Sequence, residues 1–188
     1  MGKYLDDDKT AQFEALAMPH IDAAYNLARW LTRDPHAADD LVQDAYLRAF
    51  RFLDSFRGGD ARAWLLTIVR NTYYTALRDG QHEKGDVSFE EDEHGAADVD
   101  GCDSRSGGDP ARIAAGRDLD RSVNQALDQL PRAFREVLVM KEMDDLSYKQ
   151  IAQVVDIPIG TVMSRLARAR KLLLSLLTRD QAGERDGL

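Results

Sequence analysis

Residues 146–171, with the sequence LSYKQIAQVVDIPIGTVMSRLARARK, decide the fold of the second half of this chain. Ser147 and Gln150 have the spacing of a capping box, which opens a short helix. A tight turn at 156–157 follows, and Pro158 can begin a second helix. Two short helices joined by such a turn are typical of a helix-turn-helix. The alternative is a plain amphipathic helical hairpin, which usually lacks the cap, the turn and a basic outer face together.

The outer face of the second helix carries hydroxyl groups and cations. Spacings of three and four residues predict that one side holds Thr161, Ser164, Arg165, Arg168 and Lys171. Hydroxyls and guanidinium groups can reach base edges and phosphates in a DNA major groove. From Pro158 to Arg179 the chain has five basic residues and no acidic one, so the local charge favours phosphate although the net charge is −8.

The acidic residues are concentrated in the middle of the chain. Segment 79–110 carries eleven acidic and two basic residues. Such a composition cannot bury enough apolar surface to offset the entropy of ordering, so it predicts a flexible acidic linker. The predicted organisation is an N-terminal domain over 1–80, the linker over 81–115, a C-terminal domain over 116–180 and a tail over 181–188.

Apolar side chains recur with helical spacing on both sides of this linker. In the first domain the spacing predicts three helices, over 13–31, 35–53 and 61–79, with Pro19 kinking or dividing the first. The predicted inward residues of the second helix are Leu41, Ala45, Leu47, Phe50, Phe52 and Leu53. Those of the third are Trp64, Leu65, Ile68, Val69 and Thr72. We therefore predict an all-α fold of two small helical domains joined by a flexible acidic linker, the C-terminal one with the helix-turn-helix.

Two sets of motifs, in the same order along the chain, resemble the extracytoplasmic-function (ECF) sigma factors of the sigma-70 family. Residues 160–170, GTVMSRLARAR, resemble the recognition helix of domain 4 in that family. Residues 130–137, LPRAFREV, resemble the helix before it. The likeness covers about 119–178 in this half and about 19–79 in the first half.

The first half carries the second set of motifs. Residues 40–50, DLVQDAYLRAF, resemble the domain 2 helix that docks on core RNA polymerase. The tripeptide FRG at 56–58, followed by AWLLTIVRN at 63–71, resembles the promoter-melting and −10 segment. The resemblance implies an alternative sigma factor that recognises −35 and −10 promoter DNA, helps to melt it, and is held inactive by an anti-sigma factor.

The family's functional positions can be carried onto this sequence. The resemblance implies that core RNA polymerase is bound by Asp40, Gln43, Asp44 and Leu47. It implies that −10 DNA is bound by Ser55, Phe56, Arg57, Gly58, Arg62 and Asn71. It assigns −35 DNA to the five residues of the second helix named above. Arg70 and Arg78 either contact phosphates or are ordinary exposed helix residues, and Trp64 fits a core position better than a base-stacking one.

The chain departs from the family pattern at two positions. Asp156 stands at the helix-turn-helix corner, where glycine is usual, and aspartate tolerates left-handed backbone better than most residues. Met163 stands where relatives are often basic, which implies a lost phosphate contact and an altered −35 preference. The acidic segment 86–100 is either a strand that occupies the RNA path in polymerase or a solvated tether.

Other functional classes are less well supported by the sequence. A stand-alone helix-turn-helix regulator would need a dimer interface and would leave the first domain unexplained. We find no nucleophile–base pair, Gly-rich phosphate loop or metal-ligand spacing. We therefore expect that the protein is not an enzyme and that it binds no metal, cofactor or small-molecule substrate. His94 and the single cysteine, Cys102, are too isolated for a metal or redox switch. The absence of a long apolar run and of a signal-peptide pattern predicts a cytoplasmic protein without membrane insertion.

Overall fold

The computed structural model describes residues 2–83 and 122–185, with side chains over 8–79 and 122–179. Both described ranges are built from helices, and neither contains a strand. The helices are α1 (Gly2–Ala17), α2 (Ile21–Thr32), α3 (Pro35–Arg51), α4 (Ala61–Glu83), α5 (122–128), α6 (Arg132–Glu142), α7 (Tyr148–Val155) and α8 (Ile159–Arg185). The all-α prediction is therefore confirmed. Most of the predicted linker, together with His94 and Cys102, lies outside the described residues.

The N-terminal lobe, α1–α4, contains the three predicted helices, the first of which is divided at Pro19 into α1 and α2, one of the two outcomes expected for that proline. Pro19 lies in a 3₁₀ turn, Met18–His20, which separates α1 from α2 because proline lacks the N–H group that a continuous helix needs. The predicted end of the last helix near Gly80 is wrong, since α4 continues to Glu83. A single glycine costs a helix only about 1 kcal/mol relative to alanine, so neighbouring residues can carry the helix through it.

Two residues predicted to face the core of this lobe do not do so. Leu47 is 53% exposed and Phe52 is 59% exposed. Leu47 lies on the outward side of α3, and Phe52 follows the last turn of that helix, where its backbone N–H donates to the carbonyl oxygen of Arg48. The rest of the inner surface is rich in alanine, which lets α2, α3 and α4 approach closely.

Local capping interactions begin the helices where the sequence predicts them. The Asp34 carboxylate accepts a hydrogen bond from the Ala37 N–H at 2.7 Å, and Pro35 follows at the first helical position. The Asp60 carboxylate accepts one from the Ala63 N–H at 3.0 Å. Each cap satisfies a backbone donor that has no partner within the helix.

The C-terminal lobe, α5–α8, contains the predicted helix-turn-helix as α7 and α8. Ser147 and Gln150 form both hydrogen bonds of the capping box at the start of α7. Asp156 ends that helix in the left-handed conformation, with φ of 57°. The two helices then pack through buried apolar side chains, namely Ile151, Val155, Val162, Leu166 and Ala169.

The two lobes pack against each other, which the sequence did not predict. Helix α4 lies against α7, and α2 lies against α6. We call this surface the lobe contact. The buried Arg135 guanidinium crosses it, donating to the carbonyl oxygens of Leu127 (2.8 Å) and Leu130 (2.7 Å) in its own lobe and of Trp30 (3.1 Å) in the other.

Replacing Ser147 with alanine is expected to lower the free energy of unfolding by about 1 kcal/mol, because the first turn of α7 loses its side-chain acceptor. Urea denaturation followed by far-ultraviolet circular dichroism measures this change. The matched control is Ser175→Ala: Ser175 is exposed within α8, and its hydroxyl donates only to the Leu172 carbonyl oxygen. Equal stability of the two variants would contradict a stabilising role for the capping box.

Candidate nucleic-acid interface

The five residues predicted to contact DNA from α8 do not share one exposed face. Ser164, Arg168 and Lys171 are exposed, whereas Thr161 and Arg165 are half-buried. The guanidinium of Arg165 turns toward α6, and its Nη1 lies 3.9 Å from the Glu136 carboxylate. The common outward face predicted for all five residues is therefore wrong for Arg165, because the flank of α8 that carries it faces a buried acid.

Apolar and small residues occupy much of the outward surface at the start of α8. Met163 is 50% exposed and Ile159 is 43% exposed. Gly160 and Ala167 are exposed as well. The Ser164 hydroxyl donates to the Thr161 carbonyl oxygen at 3.0 Å, so its lone pairs remain available as acceptors.

The second set of DNA candidates lies on the loop before α4 and on α4 itself. Ser55, Arg57 and Gly58 are exposed, and Gly58 has a positive φ of 85°, which glycine adopts without strain. Phe56 is half-buried because its ring packs on Trp64, with ring centroids 5.1 Å apart. Trp64 is itself half-buried against the core, as expected for a core position.

The two candidates on α4 differ in their surroundings. Asn71 is exposed. Arg62 is half-buried, and its guanidinium lies 3.7 Å from the carboxylate of Asp144 in the other lobe. The two residues are separated by about 14 Å along the helix at 1.5 Å per residue, so the loop and Asn71 form two patches rather than one.

The four predicted polymerase-binding residues do share one face. Asp40, Gln43, Asp44 and Leu47 are all exposed on α3, at the spacing of one helix side. Beside them a shallow cleft of about 310 Å³ opens between α3 and α4, and its lining includes Asp40, Asp44 and the apolar side chains of Leu41 and Leu77. The face therefore combines negative charge with exposed apolar surface.

A buried carboxylate of α6 bonds to α4 of the other lobe. The Glu136 side chain is 1% exposed, and its oxygens accept from Arg70 Nε at 3.1 Å and from Arg70 Nη2 at 3.3 Å. The Tyr74 hydroxyl donates to the same carboxylate at 3.2 Å. Burial, followed by the nearby Glu136 charge, raises the pKa of Tyr74 to about 12. Glu136 is thus the acceptor for groups of α4, and it also lies close to Arg165 of α8.

A second carboxylate of the C-terminal lobe enters the contact near the start of α4. The side chain of Asp144 is 3% exposed, and its Oδ1 accepts from Asn26 Nδ2 at 3.3 Å. Its Oδ2 is buried and has no hydrogen-bond partner among the described residues. Burial raises the pKa of Asp144, while Asn26 and Arg62 oppose that shift. Close by, the Gln150 side chain donates to Asp60, which links the caps of α7 and α4.

Sequence reasoning missed Glu136 and Asp144, and no helical pattern marked either carboxylate as buried. Glu136 lies between the predicted stripe residues Phe134 and Val137, and an amphipathic helix ordinarily carries solvated polar residues at such positions. Arg70 was assigned either to phosphate or to solvent, but it pairs with Glu136 instead. The lobe contact therefore holds Arg62 of the −10 candidates against Asp144, whereas Arg165 of the −35 candidates lies near Glu136 of its own lobe.

The described residues contain no group of three His, Cys, Asp or Glu side chains that could hold a metal ion. Over the same residues, no helix has the length and apolar character needed to cross a membrane.

Both halves of the chain match known protein families. Residues 16–83 match the family Sigma-70 region 2, and residues 120–173 match Sigma-70, region 4. The RNA polymerase sigma-H factor of Pseudomonas aeruginosa is 32% identical over 174 residues, covering 88% of this chain and 86% of that protein. The ECF RNA polymerase sigma-E factor of Escherichia coli is 34% identical over 137 residues, covering 71% and 70%.

Solved structures resemble the described fold as well. The sigma factor RpoE of Bartonella quintana, in complex with the anti-sigma factor NepR, has a TM-score of 0.66 and 28% identity, with 89% of this chain and 97% of that chain covered. CnrH, in complex with the cytosolic domain of CnrY, has a TM-score of 0.61 and 26% identity, with 91% and 90% covered.

Proposed function

Because this chain belongs to the extracytoplasmic-function sigma factors of the sigma-70 family, we propose that it directs promoter-specific transcription initiation as an alternative sigma factor. It binds core RNA polymerase, recognises −35 and −10 promoter elements and helps to melt the DNA. The observation that carries this function is the order of the two matched regions, 16–83 and 120–173, each on its own helical lobe. A stand-alone regulator would use the helix-turn-helix alone and has no need of the N-terminal lobe.

Each exposed face has one task in transcription initiation. The acidic and apolar side of α3, with Asp44 and Leu47, suits a basic helical surface of the polymerase. The start of α8 presents groups to the −35 major groove. The loop at 55–59, whose glycines allow close backbone approach, and Asn71 of α4 hold the −10 strand. The protein is a binding subunit without catalytic residues, and it works in the cytoplasm with RNA polymerase.

An anti-sigma factor holds this protein inactive. The support is that RpoE, a structural neighbour covered over 97% of its length, is seen in complex with the anti-sigma factor NepR. The lobe contact adds a physical requirement. Arg62 lies against Asp144 of the other lobe, so this arginine can turn to DNA only after the lobes separate.

Run-off transcription with purified core polymerase on a promoter library tests the proposed function. We expect initiation from a defined promoter set only when the protein is present. Arg165→Ala is expected to lower initiation at promoters that depend on the −35 element by about tenfold, since a good base contact is worth about 1–3 kcal/mol. Asn71→Ala is expected to leave promoter binding nearly intact and to lower open-complex formation, measured by permanganate reactivity of unpaired thymines.

The controls separate the sigma-factor function from the stand-alone alternative. Arg179→Ala removes an exposed arginine near the end of α8 and should leave both readouts unchanged. Specific DNA binding by a dimer in the absence of polymerase would favour the stand-alone regulator. Unchanged transcription by both site variants would overturn the assignment of Arg165 and Asn71.

A further inference from the structure

The first turns of α8 present an apolar side chain where a DNA-reading helix usually presents polar ones. Met163 is 50% exposed, and Ile159, one turn earlier on the same side, is 43% exposed. Covering such exposed apolar side chains with a binding partner is favourable, because it removes apolar surface from water. Their position, one turn before Ala167 and Arg168, is within reach of base edges when the helix enters a major groove.

Two arginines of α8 turn toward carboxylates of α6 in this structure. Arg165 turns to Glu136 of α6, with 3.9 Å between the two groups. Arg170 donates to Glu142 of α6 through Nε at 3.0 Å and Nη2 at 2.6 Å. Among the described residues, the exposed cations of this helix that lie nearest to Met163 and have no acidic partner are Arg168 and Lys171, more than one turn after it, and Arg179 lies farther along.

Small residues beside Met163 allow the helix to approach DNA closely. Gly160 has open space around the position of a Cβ, with no atom within 4 Å. Ala167 is exposed on the next turn. With no long side chain at either position, the helix backbone can lie deep in a groove, and Met163 then projects farther than its neighbours.

The major-groove edges of the four bases offer only one apolar group. Guanine, adenine and cytosine present donors and acceptors, whereas thymine also presents its C5-methyl group. A thioether side chain covering a donor or acceptor would leave it unpaired at a cost, whereas a methyl group gains from the same contact. Met163 therefore matches thymine better than any other base.

We propose that Met163, supported by Ile159, selects thymine in the −35 element by packing against its C5-methyl group, while Arg168 and Lys171 bind the neighbouring phosphates. Duplex DNA is the occupant of this face because the segment from Pro158 to Arg179, which holds the first turns of α8, carries five basic residues and no acidic one. This inference rests on the proposed function, since it requires α8 to enter the groove of the −35 element.

Deoxyuridine substitution tests the methyl contact directly, because uracil differs from thymine only by lacking that group. Holoenzyme reconstituted from the full chain and core polymerase is titrated with a promoter obtained from the run-off library. Each thymine of its −35 element is replaced in turn by deoxyuridine. We expect one or two positions at which the affinity falls by about three- to fivefold, the value of one buried methyl group.

Variants of the protein identify the side chain that makes the contact. Met163→Ala is expected to abolish the difference between thymine and uracil at those positions, whereas Met163→Leu should keep most of it. Ile159→Ala should reduce the difference without removing it. The matched control is Lys171→Ala, which is expected to weaken binding to the thymine and uracil promoters by the same factor and to lower the salt dependence of binding.

Two outcomes overturn the inference and differ from failure of the proposed function. In one, the wild-type holoenzyme binds every uracil-substituted promoter as tightly as the parent promoter. In the other, Met163→Ala keeps the full preference for thymine. If instead the protein supports no initiation on any promoter of the library, the proposed function itself fails, and the uracil series would have no parent promoter to start from.

Discussion

Replacing Arg70 with methionine is expected to separate the two lobes of this sigma factor while each lobe keeps its helices. The substitution leaves the Glu136 carboxylate, 1% exposed, with the Tyr74 hydroxyl at 3.2 Å and with Arg165 only at 3.9 Å. Removing one partner of a buried ion pair costs about 3–5 kcal/mol, because the remaining charge is left without compensation. Opening the lobe contact lets water hydrate the Glu136 carboxylate, and this hydration requires no helix to unfold.

Small-angle X-ray scattering and hydrogen exchange measure the expected opening. The radius of gyration of the full chain should rise, and amide exchange should become faster in α4 and α7, which face each other across the contact. Arg78→Met is the matched control, because Arg78 is an exposed arginine of the same helix. That variant should scatter like the wild type.

A double variant shows whether the charge pair is the cause. Combining Arg70→Met with Glu136→Leu removes both charges and leaves apolar side chains, an exchange that is often neutral for a buried pair. The double variant should therefore return toward the closed form. An unchanged radius of gyration and unchanged exchange in the Arg70→Met variant would show that Glu136 does not hold the lobes together.

Truncating Leu47 to alanine is expected to weaken binding of core RNA polymerase by tenfold or more. Leu47 is a large apolar side chain, 53% exposed, among three polar residues of the same α3 face. Burying such a side chain in an interface contributes about 1.5–3 kcal/mol.

Fluorescence titration of labelled protein with core polymerase measures this change. Ile21→Ala is the matched control, since Ile21 is an exposed apolar residue of the same lobe, 40% exposed, and lies on α2 rather than α3. We expect the control to bind like the wild type. Wild-type affinity in the Leu47→Ala variant would mean that polymerase does not use this face of α3.

Features that depend on neighbours along the chain were predictable from the sequence. The Asp34 and Asp60 caps and the left-handed Asp156 corner all form as expected, because each depends on a few consecutive residues. Errors arose where the packing of whole helices decides whether a side chain is buried. Leu47 was assigned to the core stripe as well as to the polymerase face, and helical spacing alone did not decide between the two.

The sequence by itself determined the two all-helical modules, the helix-turn-helix and the acid-rich face of α3, since local hydrogen bonds and apolar periodicity act over short distances. Only the tertiary structure decided that Arg165 and Arg70 meet Glu136, that Arg62 meets Asp144, and that Met163 remains exposed. These partners are far apart in the chain. Which surfaces of two lobes come together depends on shape and charge over whole faces, and no short stretch of residues encodes that.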